Sequence, residues 1–182
     1  MARNITSFNG TTCIVGRSWA SQYKIKTDRI KFSAPAWYQC DPDEHHSPGT
    51  SYYIDIAERC AADLVADFGK PLSPALIPDE RFNLVILEFL PISLLTEQGY
   101  STYTNAKRIL KTGGRLEIHS GKDVLRKASA FVESMSFSGI RMDEHHRTMR
   151  TPVGIIKKYF EPSWTKGDLI EGVDVNKLIA TK

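Results

Sequence analysis

Long apolar runs are missing from this sequence. No stretch of its 182 residues approaches the roughly 20 consecutive apolar residues that a helix needs to cross a bilayer. Residues 1–10 also lack the apolar segment of a secretory signal. These absences predict a soluble, cytoplasmic protein that does not act within a membrane.

Cysteines are few as well. The chain has three, Cys13, Cys40 and Cys60, an odd number at unrelated spacings. Such spacings are not those of a disulfide framework, and three thiols placed in this way do not form a zinc site by themselves. The low cysteine content therefore fits a reducing compartment.

Metal-ligand motifs are limited to one tetrapeptide. Asp-Glu-His-His occurs twice, at Asp43–His46 and Asp143–His146. Imidazoles and carboxylates bind zinc and iron, but adjacent histidines in an extended chain point to opposite sides. We interpret both copies as solvated surface loops and predict no metal site.

Neither sign of charge is in large excess. The 24 Lys and Arg residues against 21 Asp and Glu residues give a formal net charge of +3, which does not by itself predict a nucleic-acid surface. Basic residues do cluster at positions 24–31 and 141–158. Such runs are typical of solvated faces, with phosphate or RNA contact as the alternative.

What the sequence does contain is an ordinary globular composition. Hydrophobic residues make up 41% and charged residues 25%, which excludes a disordered, collagen-like or coiled-coil chain. At this length we predict one domain, residues 1–160, followed by a C-terminal extension, residues 161–182. A short helix is expected within that extension, around Asp174–Ile179.

The strongest local signal is the apolar run from Phe82 to Leu90, which Pro91 stops. It is short and does not alternate, so it predicts a strand covered on both faces, as in the middle of a parallel sheet. A helical stripe through Tyr103, Ala106 and Ile109 follows, and Gly113-Gly114 should end that helix.

Further strands and helices alternate along the chain. A second helix carries an apolar face from Val124 to Met135, and Ser120 with Asp123 forms its expected cap. The polar stretch Glu144–Pro152 reads as a hairpin-like connection. The other predicted strands are Thr11–Gly16, Tyr52–Ile56, Asp63–Phe68, Arg115–His119, Gly139–Asp143 and Val153–Phe160. This alternation predicts an α/β fold with a mostly parallel sheet.

Acidic residues stand where three of these strands end. In an open parallel sheet, ligands bind beyond the carboxyl ends of the strands, where the strand order reverses. Asp55, Asp67 and Glu88 fall at such positions, and Gly16 ends the first strand. A carboxylate there accepts hydrogen bonds from both hydroxyls of a ribose, and Asp55 is the best candidate.

The order and spacing of these parts resemble the class I methyltransferases that use S-adenosylmethionine. The resemblance covers about residues 50–120. Its parts are Tyr53-Ile54-Asp55-Ile56, Ala62 to Phe68, Phe82 to Glu88, and Ala106 to Leu116 with the turn Thr112-Gly113-Gly114. Where family members have a glycine-rich loop after the first strand, this chain has one glycine, Gly16.

The resemblance implies a Rossmann-like, three-layer α/β sandwich. Its seven-stranded sheet would be mostly parallel, with a last, antiparallel strand supplied by Val153–Phe160. By the same resemblance, Gly16 would approach the amino-acid part of S-adenosylmethionine, Asp55 would bind the ribose and Asp67 the adenine amine. Phe68 or Ile56 would cover the adenine ring.

Two classes of function follow from this resemblance. The first is an S-adenosylmethionine-dependent methyltransferase in which Glu88 lies beside the methyl donor and an unidentified acceptor: a small molecule, a protein or a nucleic acid. Methyl transfer depends mainly on alignment, so the lack of a visible catalytic triad is uninformative. The second is an inactive methyltransferase-like domain that serves as a protein-interaction module.

Two further points stay open. Nucleotide or dinucleotide binding in a similar sheet is a third possibility. It has less support, because no glycine-rich phosphate loop opens a helix. The acceptor site could be completed by a second copy of the chain or by another protein.

Overall fold

The computed structural model describes residues 4–16, 51–56, 62–88, 90–96, 99–149 and 173–182. A 3-10 turn, Ile5–Ser7, precedes the sheet. The helices are α1 (Ile92–Leu95), α2 (Gly99–Ile109) and α3 (Lys122–Ser134). The strands are β1 (Thr12–Val15), β2 (Ser51–Asp55), β3 (Leu64–Val65), β4 (Phe82–Glu88), β5 (Leu110–Ser120), β6 (Ser138–Met149) and β7 (Val173–Thr181).

Seven strands form one sheet in the order β3-β2-β1-β4-β5-β7-β6. β1 to β5 run parallel, and β7 lies antiparallel between β5 and β6. The chain builds outward from β1 to β3, returns to the other side of β1 with β4, and continues outward. The strand order therefore reverses between β1 and β4, which is where such sheets bind ligands.

The antiparallel strand is not the one predicted. It is Val173–Thr181 rather than Val153–Phe160, so the helix expected around Asp174–Ile179 is wrong. The spacing of Val175, Leu178 and Ile179 is compatible with a short helix and with a strand. Backbone pairing with β5 on one side and β6 on the other makes this segment a strand. The described part of the expected extension is thus an inner strand of the sheet.

Three local predictions also need correction. α2 ends at Ile109, and β5 runs through Gly113-Gly114, where only Gly113 adopts a positive φ. α3 starts after Gly121 without a side-chain cap, so Ser120 and Asp123 do not form the expected pair. The supposed connection from Glu144 and the second Asp-Glu-His-His copy belong to β6, because pairing with β7 extends that strand to Met149.

The helices α2 and α3 cover one face of the sheet. Alternate residues of the strands bury against them, including Val15, Val85 and Leu116, in a core that continues through Leu125 and Val132 of α3. The residues between these point to the opposite face. There Ile14, Tyr53, Leu84 and Ile86 form a second buried cluster.

Several sequence predictions fall outside the described residues. These are Cys40, Cys60, Asp43–His46, Val153–Phe160 and the basic run 24–31. Within the described ranges, no helix is long and apolar enough to cross a membrane. Nor does that part of the chain hold three or more His, Cys, Asp or Glu side chains grouped to bind a metal.

Candidate functional site

Gly16 lies at the point where the strand order reverses. It follows β1 with a φ of +73°, and its N–H donates to the carbonyl of Ile54 at 3.0 Å. A Cβ at this position would lie 2.6 Å from the carbonyl oxygen of Glu88 and 2.5 Å from Cδ2 of Leu90. The backbone after β1 therefore passes against the end of β4 at a distance that no side chain permits.

Asp55 ends β2 beside this glycine. Its carbonyl accepts from the N–H of Ala66 at 2.9 Å, which joins the end of β2 to the loop after β3. Asp55 is half-buried, whereas the next residue, Ile56, is 68% exposed. An acidic group and an exposed apolar side chain thus stand together on the same edge.

Asp67 follows β3 in a tight turn. Its Oδ1 accepts from the N–H of Gly69 at 3.0 Å, and its Oδ2 lies 3.5 Å from the ammonium of Lys70. Phe68 packs into the main core with only 4% exposure. Of the two side chains suggested for covering an adenine ring, Ile56 is the accessible one.

The side chain of Asn105, on α2, fixes the shape of the turn that follows Asp67. The side chain is buried, its amide nitrogen donates to the carbonyls of Phe68 (2.9 Å) and Lys70 (2.7 Å), and its oxygen accepts from the N–H of Leu72 (3.1 Å). One side chain therefore satisfies three backbone groups of the segment that carries Asp67.

Replacing Asn105 by alanine should leave these three backbone groups without that partner. Because each buried, unsatisfied polar group costs about 1–3 kcal/mol, we expect a loss of about 2–4 kcal/mol in the free energy of unfolding. Urea denaturation measures it. Thr104→Ala, at an exposed position of the same helix, is the control and should change stability little; equal effects from both variants would contradict this role.

A row of ionisable side chains runs across the sheet from the end of β4 over β5 and β7 to β6. In the strand register Glu88 pairs with His119, His119 with Lys177, and Lys177 with Asp143. Directly paired residues project from the same face. This row lies on the face that carries Ile14 and Ile86, opposite α2 and α3.

Glu117 lies two residues before His119 on the same face of β5, and it contacts His119 and Lys177 of this row. Its Oε2 lies 3.2 Å from Nε2 of His119 and 3.8 Å from the ammonium of Lys177, and its Oε1 lies 2.9 Å from Nε of Arg115. Burial acts to raise the pKa of Glu117, but the hydrogen bond from His119 and the charges of Lys177 and Arg115 outweigh it and lower that pKa. The carboxylate is thus ionised at neutral pH.

The sequence pointed to Glu88, at one end of this row, but not to the residues that surround it on β5 and β7. Glu88 stood out as a carboxylate at a strand end, whereas Glu117, His119 and Lys177 did not. A signal was present in the alternation of Arg115, Glu117 and His119 on one strand. A central strand buries such side chains along its middle, as it does Glu117 and His119, whereas Arg115 is exposed.

The fold has counterparts among solved structures. The chain is similar to an antibiotic-related methyltransferase at 8% identity and a TM-score of 0.51, covering 98% of this chain and 90% of that one. It is also similar to an S-adenosylmethionine-dependent O-methyltransferase from Thermotoga maritima at 12% identity and a TM-score of 0.50. That match covers 98% of this chain and 61% of the other. No family model and no curated protein sequence matches the chain.

At these identities the likeness establishes the fold. The expectation of a Rossmann-like, class I methyltransferase-like fold is confirmed, with a seven-stranded, mostly parallel sheet and one antiparallel strand. Fold alone does not specify an activity, which depends on the residues of the site.

Proposed function

We propose that this protein is an S-adenosylmethionine-dependent methyltransferase. The observation that carries the proposal is the position of Gly16 between the acidic ends of β2 and β4, at the reversal of strand order in a methyltransferase-like sheet. The absence of a side chain at Gly16 keeps the end of β1 close to the end of β4, which brings the residues of this edge together. The fit to the cofactor rests on the carboxylates of Asp55 and Glu88 at this edge.

Each residue of the edge has a proposed role in binding. Asp55 accepts hydrogen bonds from the ribose hydroxyls, and Asp67 accepts one from the exocyclic amine of adenine. Ile56 covers the adenine ring, which would otherwise face water. Gly16 admits the amino-acid part, and Glu88 lies beside the reacting groups. When bound, the cofactor supplies a methyl group on a positively charged sulfur, a site that anionic carboxylates attract.

Calorimetric titration with S-adenosylmethionine tests this proposal. Asp55→Asn keeps the shape of the side chain but removes its charge. Because a hydrogen bond to a charged group contributes about 1.5–3 kcal/mol, we expect binding to weaken about 10- to 100-fold. Glu80→Gln is the matched control: Glu80 lies before β4, at the opposite edge of the sheet, and this variant should bind as the wild type does.

The two functional classes give different results. Binding that Asp55→Asn weakens and Glu80→Gln does not supports the methyltransferase. If the folded wild-type protein binds neither the cofactor nor its demethylated product at millimolar concentration, the proposal fails, and an interaction module becomes the better account.

A further inference from the structure

The proposed site is closed in this structure. Glu88, which the proposed function sets beside the reacting groups, is 0% exposed. Leu90 follows shortly after it and is partly buried, and its Cδ2 lies 2.5 Å from the position that a Cβ on Gly16 would take. The space that the missing side chain of Gly16 leaves free is therefore filled by a leucine of the same chain.

A second leucine makes the same kind of contact at a neighbouring loop. Cδ2 of Leu94, on α1, lies 2.6 Å from the position of a Cβ on Gly69, and Cδ1 lies 3.6 Å from it. That position is also 3.2 Å from Oδ1 of Asp67, the carboxylate proposed for the adenine amine. Two leucines of one short segment thus rest on two glycines, one after β1 and one after β3.

Residues 90–95 form this segment, which we call the strap. Its inner end is fixed, because Leu95 is fully buried in the main core and its carbonyl accepts from the hydroxyl of Tyr103 at 2.8 Å. Its outer part is held less firmly. The N-cap of the four-residue helix α1 is Pro91, which makes no side-chain cap. Within the described ranges, no hydrogen bond joins residues 90–94 to the loops after β1 and β3.

This division between a fixed end and a lightly held end is typical of a segment that opens. Each contact between a leucine and a glycine is apolar, has no directional requirement and involves only the end of one side chain, so breaking it costs little. A ligand that covers the same glycines restores the lost burial. Segments that move on binding come from the less stable parts of a fold.

We propose that the strap is an autoinhibitory element, which covers the ligand edge of the free protein and which the cofactor displaces from Gly16 and Gly69. This inference rests on the proposed methyltransferase function. Ligand and strap compete for the same two glycines, and no covalent step is involved. Because only the open form binds, the open fraction of the free protein scales its apparent affinity.

Leucine methyl NMR of the full chain, free and saturated with S-adenosylhomocysteine, tests the displacement. In the free protein, the methyl groups of Leu90 and Leu94 should show nuclear Overhauser effects to the α-protons of Gly16 and Gly69 respectively. Saturation should remove both effects, because the ligand lies between the groups. Persistence of either effect in the saturated complex would overturn the inference and leave the methyltransferase proposal standing.

Calorimetric titration of truncated variants measures the same competition. Leu90→Ala and Leu94→Ala each remove one contact that holds the strap closed, so each should bind S-adenosylhomocysteine about 3- to 10-fold more tightly than the wild type. Ile92→Ala is the matched control, because Ile92 belongs to α1 but is 45% exposed. This variant should bind as the wild type does.

The outcomes separate the inference from its premise. Unchanged or weaker binding in both leucine variants is the result expected of a segment that only supports the site, and it would overturn the role of the strap while the methyltransferase proposal stands. If neither the wild type nor any of these variants binds S-adenosylmethionine or S-adenosylhomocysteine at millimolar concentration, the proposed function fails and the role of the strap fails with it.

Discussion

Gly16→Ala is expected to lower the free energy of unfolding by about 2–4 kcal/mol, because it combines backbone strain with overpacking. The φ of +73° disfavours any side chain, and the added Cβ would overlap the Glu88 carbonyl, a backbone atom that cannot move without displacing β4. The same variant should abolish detectable binding of S-adenosylmethionine, since relief of the overlap changes the edge that the cofactor needs. Denaturant unfolding and calorimetry measure the two effects.

Gly113→Ala is the matched control for this prediction. Its φ of +75° is nearly the same, but nothing lies within 4 Å of the position that a Cβ would take. Only the strain remains, so this variant should lose about 1–2 kcal/mol. It should bind the cofactor normally, because Gly113 lies near the start of β5, away from the proposed site. Equal losses from the two variants would show that the close approach at Gly16 contributes nothing.

Glu117→Leu is expected to be about as destabilising as Gly16→Ala. It removes the carboxylate that faces the largely buried Lys177 and the half-exposed Arg115. Breaking a buried ion pair costs about 3–5 kcal/mol, and because Arg115 stays solvated we expect a loss at the lower end, about 3 kcal/mol. Adding Lys177→Met should recover part of this loss, because the second substitution removes a largely buried charge that the first left with only one of its two carboxylate partners, Asp143. Urea unfolding of the single and double variants measures the coupling. Strict additivity would contradict the network.

The pH dependence of stability gives the same prediction a second test. The folded protein holds the pKa of Glu117 below its ordinary value of 4.5. The resulting stabilisation is complete above that value and is lost as the pH falls through the lowered pKa of the folded state. The stability difference between wild type and Glu117→Gln should therefore shrink on acidification below about pH 4.5. A constant difference between pH 7 and pH 3 would contradict the assignment.

Hydrophobic patterning predicted the centre of this fold well. Leu84 to Leu87 is apolar on both faces because β4 lies between β1 and β5, and this burial on both faces can be recognised from an unbroken apolar run. The acidic residues at the strand ends were found for a similar reason, since a carboxylate after an apolar strand is conspicuous. Position along the chain was enough to group Gly16, Asp55 and Glu88.

The C-terminal half was harder to predict because its determinants are non-local. Val173–Thr181 reads as a short helix when considered alone, and only its insertion between β5 and β6 makes it a strand. The contact of Glu117 with Lys177 and the pairing of His119 with Lys177 both depend on that insertion. They could not be predicted from the sequence, because the register between β5 and β7 was not known. The burial of Phe68 could not be predicted either, because it is set by packing that lies outside its own segment.

A crystal structure of the protein with S-adenosylhomocysteine tests the central claim most directly. We expect the adenosine at the carboxyl edge of β1, β2 and β4, with both ribose hydroxyls on the Asp55 carboxylate and the sulfur on the side of Glu88. Adenosine bound elsewhere, or an Asp55 carboxylate turned away from the ribose, would contradict it.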